Sequence, residues 1–235
     1  MSSSLALRGN AVARYDRIEA TKLLAARKRT ADSFVGSIFY GFIKLSRVCV
    51  TCGTAETDFS VLAALQLELP QRGNFCLSMC PQLVGTNETV HDVECTTCSC
   101  RTDRSKLDSI AVAPRVLQLQ LKRIATDSSG LRQLKSNTPV DFPLVLQIRE
   151  SQLDGKTSPP AVYDLHAVSL HLGTPGTPTA HFITFVRRGS TWYVINDAEH
   201  EELSASESAR IGQGDRRVSG LTYVARSLSS SDGAN

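Results

Sequence analysis

Alternation of apolar and polar residues recurs along the chain and predicts β-strands. In residues 65–69 and 117–121, leucine alternates with glutamine or glutamate, so that one face of each strand would be buried and the other exposed. The same period recurs at Leu144, Leu146 and Ile148. Turn-forming or charged residues separate the other predicted strands, which are 163–172, 182–187, 191–195 and 221–225. We therefore expect a β-rich, mostly antiparallel second half.

One helix is predicted before these strands. In residues 15–29, apolar side chains recur at helical spacing among Lys and Arg, which indicates an amphipathic helix with a solvated basic face. Segments 151–160 and 173–179 are rich in Gly, Pro, Ser or Thr and are predicted to be surface loops. The tail at 227–235 is predicted to be disordered.

Composition and charge restrict the class of protein but name no partner. The 235 residues can bury one substantial core, which favours a single domain. With a formal net charge of only +3, we expect no nucleic-acid partner and no membrane partner. No run approaches the roughly 18 consecutive apolar residues that span a bilayer, and residues 1–30 lack an apolar signal core. We therefore expect an intracellular protein of the cytoplasm, the nucleus or both.

Four of the seven cysteines form two Cys-x-x-Cys pairs, Cys49 with Cys52 and Cys95 with Cys98. A two-residue gap lets a tight turn aim two thiolates at one tetrahedral ion, and two such turns make a four-cysteine zinc site. A structural zinc of this kind is closed to substrate, so it would hold strand ends together. Because the chain between the pairs is long, we expect it to leave the metal and return as a long hairpin.

The remaining cysteines are weaker candidates for chemistry. Cys100 could compete as a metal ligand, although its one-residue gap after Cys98 suits the turn less well. Cys76 and Cys80 have apolar neighbours, which favours core packing, since a reactive thiol needs an exposed, electropositive setting. Unpaired core thiols remain the alternative interpretation of the two Cys-x-x-Cys pairs.

Among the five histidines, His181 is the candidate for chemistry. It opens a predicted strand after a Gly/Pro loop, and the next strand ends at Asn196 and Asp197. Adjacent antiparallel strands would bring these two residues within reach of the ring. A histidine with an amide or carboxylate partner is two-thirds of a thiol-hydrolase triad, but such contacts are also common in ordinary structure. The others are predicted to be surface or hydrogen-bonded residues, namely His91, His166, His171 and His200.

Taken in order, these motifs resemble the ubiquitin-specific protease family of deubiquitinating enzymes, from about Asp32 to about Arg226. Residues 32–52 are similar to the start of the family's zinc-bearing fingers, 95–98 to the return cysteine pair and 114–123 to the return to the palm. Residues 163–173 are similar to the strand before the catalytic histidine, and 222–224 to the closing strand. Ile124 stands where the family usually has Phe.

The resemblance implies an α+β, papain-like cysteine protease fold of the ubiquitin-specific protease type. Such a fold has a mostly antiparallel β palm and zinc-bearing fingers, and here the thumb would be largely missing. The protease domain would span 32–226, with fingers at about 45–115 and the palm at about 116–226. Residues 1–31 would be a remnant of the last thumb helix or a disordered start.

The resemblance also assigns the site. It implies that His181 is the general base, that Asn196 orients it and that Asp197 is a neighbour. Ala180 and Phe182 replace the family's usual Gly and Tyr beside the histidine, which could narrow the channel for the end of ubiquitin. Ubiquitin and ubiquitinated proteins would be the partners. Structural zinc would be the cofactor, held by Cys49, Cys52, Cys95 and Cys98.

No nucleophile is recognisable. The family begins with a Gly-Asn-Thr-Cys-Tyr box, and a faint likeness at 9–12 has Val12 where the thiol should be, too close to the first cysteine pair. We interpret this likeness as accidental. The chain is then either a fragment of a cysteine-type deubiquitinase whose nucleophile lies upstream, or a catalytically inactive ubiquitin-binding or scaffold protein of the same fold. A zinc-organised nucleic-acid module is disfavoured because the chain lacks a basic stripe.

Overall fold

Strands dominate the part of the chain that the structure describes. The structure is a computed structural model and describes residues 17–30, 33–70, 73–77, 88–126, 133–156, 162–174, 177 and 179–226. Within these residues the helices are α1 (Arg17–Thr30), α2 (Phe34–Phe39) and α3 (Ala205–Ser208), with a 3-10 turn at Glu150–Gln152. None of the described helices has the length and apolar character needed to cross a membrane.

The strands in the described residues account for most of the regular structure. In chain order they are β1 (Gly41–Cys49), β2 (Ala55–Leu62), β3 (Leu65–Glu68), β4 (Phe75–Cys76), β5 (Glu88–Glu94), β6 (Arg101–Val112), β7 (Val116–Lys122), β8 (Ile124–Thr126), β9 (Gln133–Lys135), β10 (Val140–Asp141), β11 (Val145–Gln147), β12 (Val162–Leu172), β13 (His181–Arg188), β14 (Thr191–Asn196), β15 (Glu199–Glu202) and β16 (Val218–Ala225).

The chain divides into two compact units. The first comprises Met1–Ala63, Pro81–Arg115 and Ile148–Ala161, and the second comprises Ala64–Cys80, Val116–Gln147 and Val162–Asn235. Because each unit is assembled from separated stretches of sequence, residues far apart in the chain become neighbours within it.

In the first unit, helix α1 packs with an antiparallel sheet of order β2-β1-β6-β5. Leu23 and Ala26 of the helix are buried in one cluster with Phe42, Phe59 and core residues of β6. The predicted amphipathic helix is confirmed over its described part. Its apolar face is narrower than the sequence suggested, since Ile18 is 72% exposed. Tyr15 and Asp16 lie outside the described residues.

Helix α2 was not predicted. Its N-cap is Ser33, whose hydroxyl oxygen accepts a hydrogen bond from the backbone N–H of Gly36 at 2.9 Å. Such a cap satisfies one of the donors that every helix start leaves unpaired. The serine was therefore the available sequence signal, and the short apolar run after it resembled a strand.

In the second unit, one twisted sheet follows the order β15-β14-β13-β12-β16-β7-β3, and β11 pairs with the start of β12. The predicted strands at 117–121, 163–172, 182–187, 191–195 and 221–225 lie in β7, β12, β13, β14 and β16. Their pairing is antiparallel, as predicted. Leu146 of β11 is buried, but Leu144, just before this strand, is 46% exposed. The buried positions of the predicted alternation therefore begin at Leu146 and not at Leu144.

The residues between the two cysteine pairs do not form the predicted long hairpin. Strands β2 and β5 lie on opposite edges of the first unit's sheet. Strands β3 and β4 belong to the second unit, where β3 runs parallel to β7 and buries Leu65 and Leu67. The hairpin prediction is wrong because these apolar residues complete another sheet. Period-two alternation identifies a strand and its buried face, but not its partner.

Candidate active site and metal centre

Strands β13 and β14 bring His181 and Asn196 together. They pair antiparallel with Thr184 opposite Ile195, so the start of β13 lies beside the end of β14. The Nε2 atom of His181 lies 2.6 Å from Oδ1 of Asn196. A short strand connection in regular antiparallel register thus builds this contact from residues that are fifteen positions apart.

The Asn196 contact selects the tautomer of His181. An amide oxygen accepts hydrogen bonds, so Nε2 carries the proton and Nδ1 has the free lone pair. Among the described residues, Nδ1 of His181 has no hydrogen-bond partner, and the side chain is 40% exposed. The ring is therefore held at one nitrogen and open at the other, which is the arrangement a general base needs.

Asp197 makes a weaker contact with the His181 ring than Asn196 does. Its Oδ2 atom lies 3.9 Å from Nε2 of His181, and its side chain is 82% exposed. Its backbone adopts a positive φ of 54°, which turns the chain away from β14. Of the two predicted partners, Asn196 makes the hydrogen bond and Asp197 provides a screened negative charge.

His171 lies opposite Phe182 in the sheet, next to His181, and its environment differs from the predicted one. It is buried, and its Nδ1 atom has no hydrogen-bond partner in the described part of the chain, so the prediction of a surface or hydrogen-bonded residue is wrong. Its ring lies 4.6 Å from the ring of Phe182, centroid to centroid, next to His181. Burial, followed by the charge of Lys135, lowers the pKa of His171. The ring therefore stays neutral at physiological pH.

Lys135 fixes the chain just after His171. Its Nζ donates to the backbone oxygens of His171 at 2.6 Å and Gly173 at 3.0 Å. These bonds anchor the start of the predicted 173–179 loop, part of which lies outside the described residues. Desolvation, with a further contribution from Arg123, lowers the pKa of Lys135. No sequence pattern marked Lys135, because its partners are backbone carbonyls distant in sequence.

No cysteine accompanies His181 among the described residues. Cys76 is half-buried in β4, and Cys100 is exposed and donates through its sulfur to the oxygen of Cys98 at 3.4 Å. Neither sulfur is hydrogen bonded to His181. Cys80 and the Gly9–Val12 likeness lie outside the described residues. The described chain thus supplies a histidine and its amide partner without a thiol beside them.

Two tight turns present the paired cysteines. In the β1–β2 turn, the N–H of Gly53 donates to the oxygen of Cys49 at 2.9 Å, and Gly53 adopts a φ of 70° that favours glycine. In the β5–β6 turn, the N–H of Ser99 donates to the oxygen of Cys95 at 2.8 Å. Because β1 and β6 are neighbours in the sheet, the two turns meet at the same end of it.

The four paired thiols form a site of the size that zinc requires. Sγ of Cys49 lies 4.0 Å from that of Cys98, and Sγ of Cys52 lies 3.7 Å from that of Cys95. All four sulfurs lie within 4.8 Å of one another. Tetrahedral zinc with Zn–S bonds of about 2.3 Å requires sulfurs about 3.8 Å apart. The four predicted ligands can therefore hold a structural zinc, and Cys100 is not part of this cluster.

The thiols in this cluster do not ionise alike. Hydrogen bonds with the side chain and backbone of Thr54 lower the pKa of Cys52 to about 6. A backbone hydrogen bond from Cys100 also lowers the pKa of Cys98, but desolvation and the neighbouring thiols Cys95 and Cys52 outweigh it and raise this pKa to about 12. A bound zinc ion would displace the remaining protons, so its affinity must fall as the pH decreases.

A protein-family model matches most of this chain. The model of the ubiquitin carboxyl-terminal hydrolase family matches residues 12–223. The chain belongs to the ubiquitin carboxyl-terminal hydrolase family. This hydrolase family consists of cysteine-type deubiquitinases, so the resemblance drawn from the motifs is confirmed.

Curated relatives of this hydrolase-family chain are longer proteins. Human ubiquitin carboxyl-terminal hydrolase 2 is 34% identical over 184 residues, which cover 75% of this chain and 29% of the relative. Mouse ubiquitin carboxyl-terminal hydrolase 21 is 30% identical over 186 residues, which cover 76% of this chain and 32% of the relative. The chain thus spans about a third of the length of these two relatives.

Solved structures of the hydrolase family share the fold. A chain of the yeast SAGA DUB module superposes with a TM-score of 0.71 at 24% identity. The matched region is 90% of this chain and 46% of the yeast chain. A chain of the SAGA DUB module bound to ubiquitin aldehyde has a TM-score of 0.71 at 23% identity, with coverage of 86% and 45%. The predicted fold of the ubiquitin-specific protease type is confirmed.

Proposed function

We propose that this chain supplies the general-base side of a thiol-dependent ubiquitin hydrolase. In this proposal His181 removes the proton from a cysteine thiol, and Asn196 holds the imidazole in the required tautomer. The supporting observation is the 2.6 Å contact between Nε2 of His181 and Oδ1 of Asn196. It leaves Nδ1 of His181 as the nitrogen that can accept a proton.

The proposed reaction follows from that tautomer. A cysteine thiol transfers its proton to Nδ1 of His181, and the thiolate attacks the carbonyl that joins the last glycine of ubiquitin to an amine. The imidazolium then gives the proton to the leaving amine, and water hydrolyses the acyl-enzyme. The side-chain oxygen of Asn196 accepts a hydrogen bond from Nε2–H throughout, and this proton stays on the ring. Asp197 adds only a weak attraction for the imidazolium, because solvent screens its exposed carboxylate.

Zinc has a structural role in this proposal. Cys49, Cys52, Cys95 and Cys98 would fill all four positions of a tetrahedral ion and leave none for water or substrate. When bound, the metal would tie the β1–β2 turn to the β5–β6 turn. These four residues would therefore stabilise the sheet of the first unit, and every chemical step would remain with the second unit.

Ubiquitin is the partner we propose for this chain. The hydrolase family acts on ubiquitin conjugates, and one similar structure is described as bound to ubiquitin aldehyde. Conjugation takes place inside the cell, so the same proposal places the chain in the cytoplasm or the nucleus. A second function is ubiquitin binding without hydrolysis. The lack of a sulfur bonded to His181 among the described residues favours that second function for this chain alone.

Two measurements on the zinc-loaded chain test the proposal. Titration calorimetry with free ubiquitin is expected to detect binding, and a ubiquitin vinyl sulfone probe is expected to leave the chain unlabelled. A lack of ubiquitin binding by the folded chain would contradict the assigned partner. Labelling that disappears in the Cys76→Ser or Cys80→Ser variant would show that the chain carries its own nucleophile, which contradicts the proposed division of roles.

The general-base role needs a nucleophile to be measurable. We define a chimera in which residues 17–226 follow the part of human ubiquitin carboxyl-terminal hydrolase 2 that precedes its matched segment. If that part contains the relative's cysteine, the chimera is expected to release a fluorophore from the carboxyl end of ubiquitin. Its histidine and amide would then come from this chain, so that their roles can be tested one at a time.

A further inference from the structure

Arg104 lies in the first unit, between the two turns that carry the paired cysteines. It is on β6 directly opposite Cys49 of β1, and its side chain is only 5% exposed. A buried guanidinium retains its charge, so nearby groups must compensate for the loss of hydration. The hydrogen-bond partners and charged groups around Arg104 therefore indicate the role of its positive charge.

The hydrogen bonds of Arg104 reach both sides of the second cysteine turn. One terminal nitrogen donates to the backbone oxygen of Glu94 at 2.7 Å, and the other forms an ion pair with Glu56 of β2. The carboxylate of Glu56 in turn accepts a hydrogen bond from the hydroxyl of Thr96 at 2.6 Å. Residues on either side of Cys95 are thus connected to one guanidinium.

One of the three guanidinium nitrogens of Arg104 is not satisfied. Its Nε atom is buried, and in the part of the chain that the structure describes it has no hydrogen-bond partner. An unpaired donor on a buried cation is unfavourable unless negative charge lies close by. Cys49 is directly opposite Arg104 in the sheet, and Cys95 follows Glu94, whose backbone oxygen accepts a hydrogen bond from Arg104, so zinc-bound thiolates at these positions would supply that charge. The hydrogen bond with Glu56 has the largest effect on the pKa of Arg104 and raises it.

A four-thiolate zinc site needs a positive charge of this kind. Four thiolates and one Zn²⁺ carry a net charge of −2, and Glu56 adds another negative charge nearby. Arg104, directly opposite Cys49 in the sheet, is a buried cation beside this group. Residues that support metal ligands from outside the coordination sphere commonly change metal affinity about 10- to 100-fold when they are substituted.

We propose that Arg104 is a positioning residue of the zinc site. It holds the second cysteine turn through the oxygen of Glu94 and through Glu56, and its charge offsets part of the negative charge of the thiolates. The same guanidinium would thereby preorganise the ligands and stabilise their deprotonated form. This inference concerns the metal site and does not depend on the proposed hydrolase function.

Arg101 provides a matched control on the same strand. It forms a bidentate ion pair with Asp92 of β5 and donates to the Asp92 backbone oxygen at 2.9 Å, much as Arg104 does with its partners. Its side chain is 63% exposed, and the cysteines do not contribute to its pKa shift. Substitution of Arg101 therefore removes an arginine from the β5–β6 hairpin without removing the buried positive charge opposite Cys49.

The test is a competition between the full chain and a chromogenic chelator for zinc, with the variants Arg104→Met, Arg104→Lys and Arg101→Met. Arg104→Met is expected to lower zinc affinity about tenfold or more. Arg104→Lys keeps the charge but cannot make both bonds of the guanidinium, so its loss of zinc affinity is expected to be clearly smaller than that of Arg104→Met and less than about tenfold. Arg101→Met is expected to bind zinc as the unsubstituted chain does. Fluorescence of Trp192 verifies that the second unit remains folded.

Three results would overturn the proposal. They are zinc affinity of Arg104→Met within twofold of the unsubstituted chain, an equal loss in Arg101→Met, or a loss in folded Arg104→Lys as large as that in Arg104→Met. Should Arg104→Met fail to fold, Arg104→Lys decides alone, with a loss of less than tenfold as the supporting result and a loss of tenfold or more as the contradicting one. Cobalt substituted for zinc reports the ligands, and Arg104→Lys is expected to keep the absorption of a tetrahedral four-thiolate site.

Discussion

The ring of His181 is bound by the amide of Asn196 at 2.6 Å, whereas the carboxylate of Asp197 lies 3.9 Å away. Asn196 is the last residue of β14 and directly follows Ile195, which pairs with Thr184 of β13 at the end of the ladder. Asp197 follows the ladder with a positive φ and projects into solvent. The orienting function is therefore expected to belong to the amide.

Substitution of each of these two residues in the chimera separates their roles. Asn196→Ala is expected to lower kcat for ubiquitin hydrolysis strongly, because the imidazole loses the bond that fixes its tautomer. Asp197→Ala is expected to have a smaller effect, since it removes only a screened charge. Steady-state kinetics measure both. A larger loss in Asp197→Ala than in Asn196→Ala would show that the carboxylate orients the ring instead.

Zinc content is expected to depend on the paired cysteines. The unsubstituted chain is expected to contain about one zinc, and Cys95→Ser is expected to lose most of it because three thiolates cannot close a tetrahedral site. Cys100→Ser is the matched control and is expected to retain the metal, since Cys100 is outside the cluster. Atomic absorption measures the content. A chain that folds without metal after all four paired cysteines are changed to Ser would contradict this account.

The sequence predicted the features that depend on local pattern. Period-two alternation located β3 and β7, and turn-forming or charged residues delimited β12, β13 and β14. The short connection between β13 and β14 was enough to bring His181 next to Asn196. The doubled Cys-x-x-Cys spacing predicted the cluster of four thiols for a similar reason. A tight turn fixes the two thiols of a pair relative to each other whatever the rest of the chain does.

The features that were not predicted depend on partners distant in sequence. Strand β3 pairs in parallel with β7, and an alternating pattern carries no information about that choice. His171 was predicted to be a surface or hydrogen-bonded residue, yet irregular pairing of β12 with β16 interrupts the alternation just before it, so that Leu170 and His171 are both buried. Arginine normally indicates an exposed position, so nothing in the sequence marked Arg104 or Arg123 as buried.

Arg123 is expected to be essential for the stability of the second unit. It is buried, and within the residues that the structure describes its guanidinium donates to the backbone oxygens of Ser136, Thr138, Asp215 and Val218. Arg123→Met leaves these acceptors without their donor and is expected to reduce the free energy of unfolding by about 3 kcal/mol or more. Urea denaturation followed by Trp192 fluorescence measures it.

The control for this experiment is Arg115→Met, a substitution at an exposed position just before β7. Its free energy of unfolding is expected to stay within about 0.5 kcal/mol of that of the unsubstituted chain. Equal stability of the Arg123→Met and Arg115→Met variants would show that the four carbonyls can be satisfied by solvent. In that case the buried guanidinium would not hold the second unit together.

The stability of the chain is expected to fall in mild acid because of His171. Burial and Lys135 place the folded-state pKa of His171 below the ordinary value of about 6.5. Between these two pKa values the unfolded chain binds a proton that the folded chain does not, so stability is full above about pH 6.5 and decreases as the pH falls from there. His171→Phe is expected to reduce this loss, measured by urea denaturation at pH 7.5 and 5.5.

His166 is the matched control for the pH experiment. It lies on the same strand as His171 but is exposed, so His166→Phe is expected to leave the pH dependence unchanged. A His171→Phe variant that loses as much stability between pH 7.5 and 5.5 as the unsubstituted chain would show that other groups cause the acid sensitivity. A greater acid loss in that variant would contradict the sign of the effect.

Hydrolysis by the chimera with and without His181 tests the central proposal most directly. His181→Ala is expected to lower kcat by about 10²–10⁴-fold while ubiquitin binding, measured by calorimetry, stays within a few-fold, because only proton transfer is lost. His166→Ala is expected to remain fully active. A His181→Ala chimera that hydrolyses ubiquitin conjugates as fast as the unsubstituted chimera would show that this histidine is not the general base.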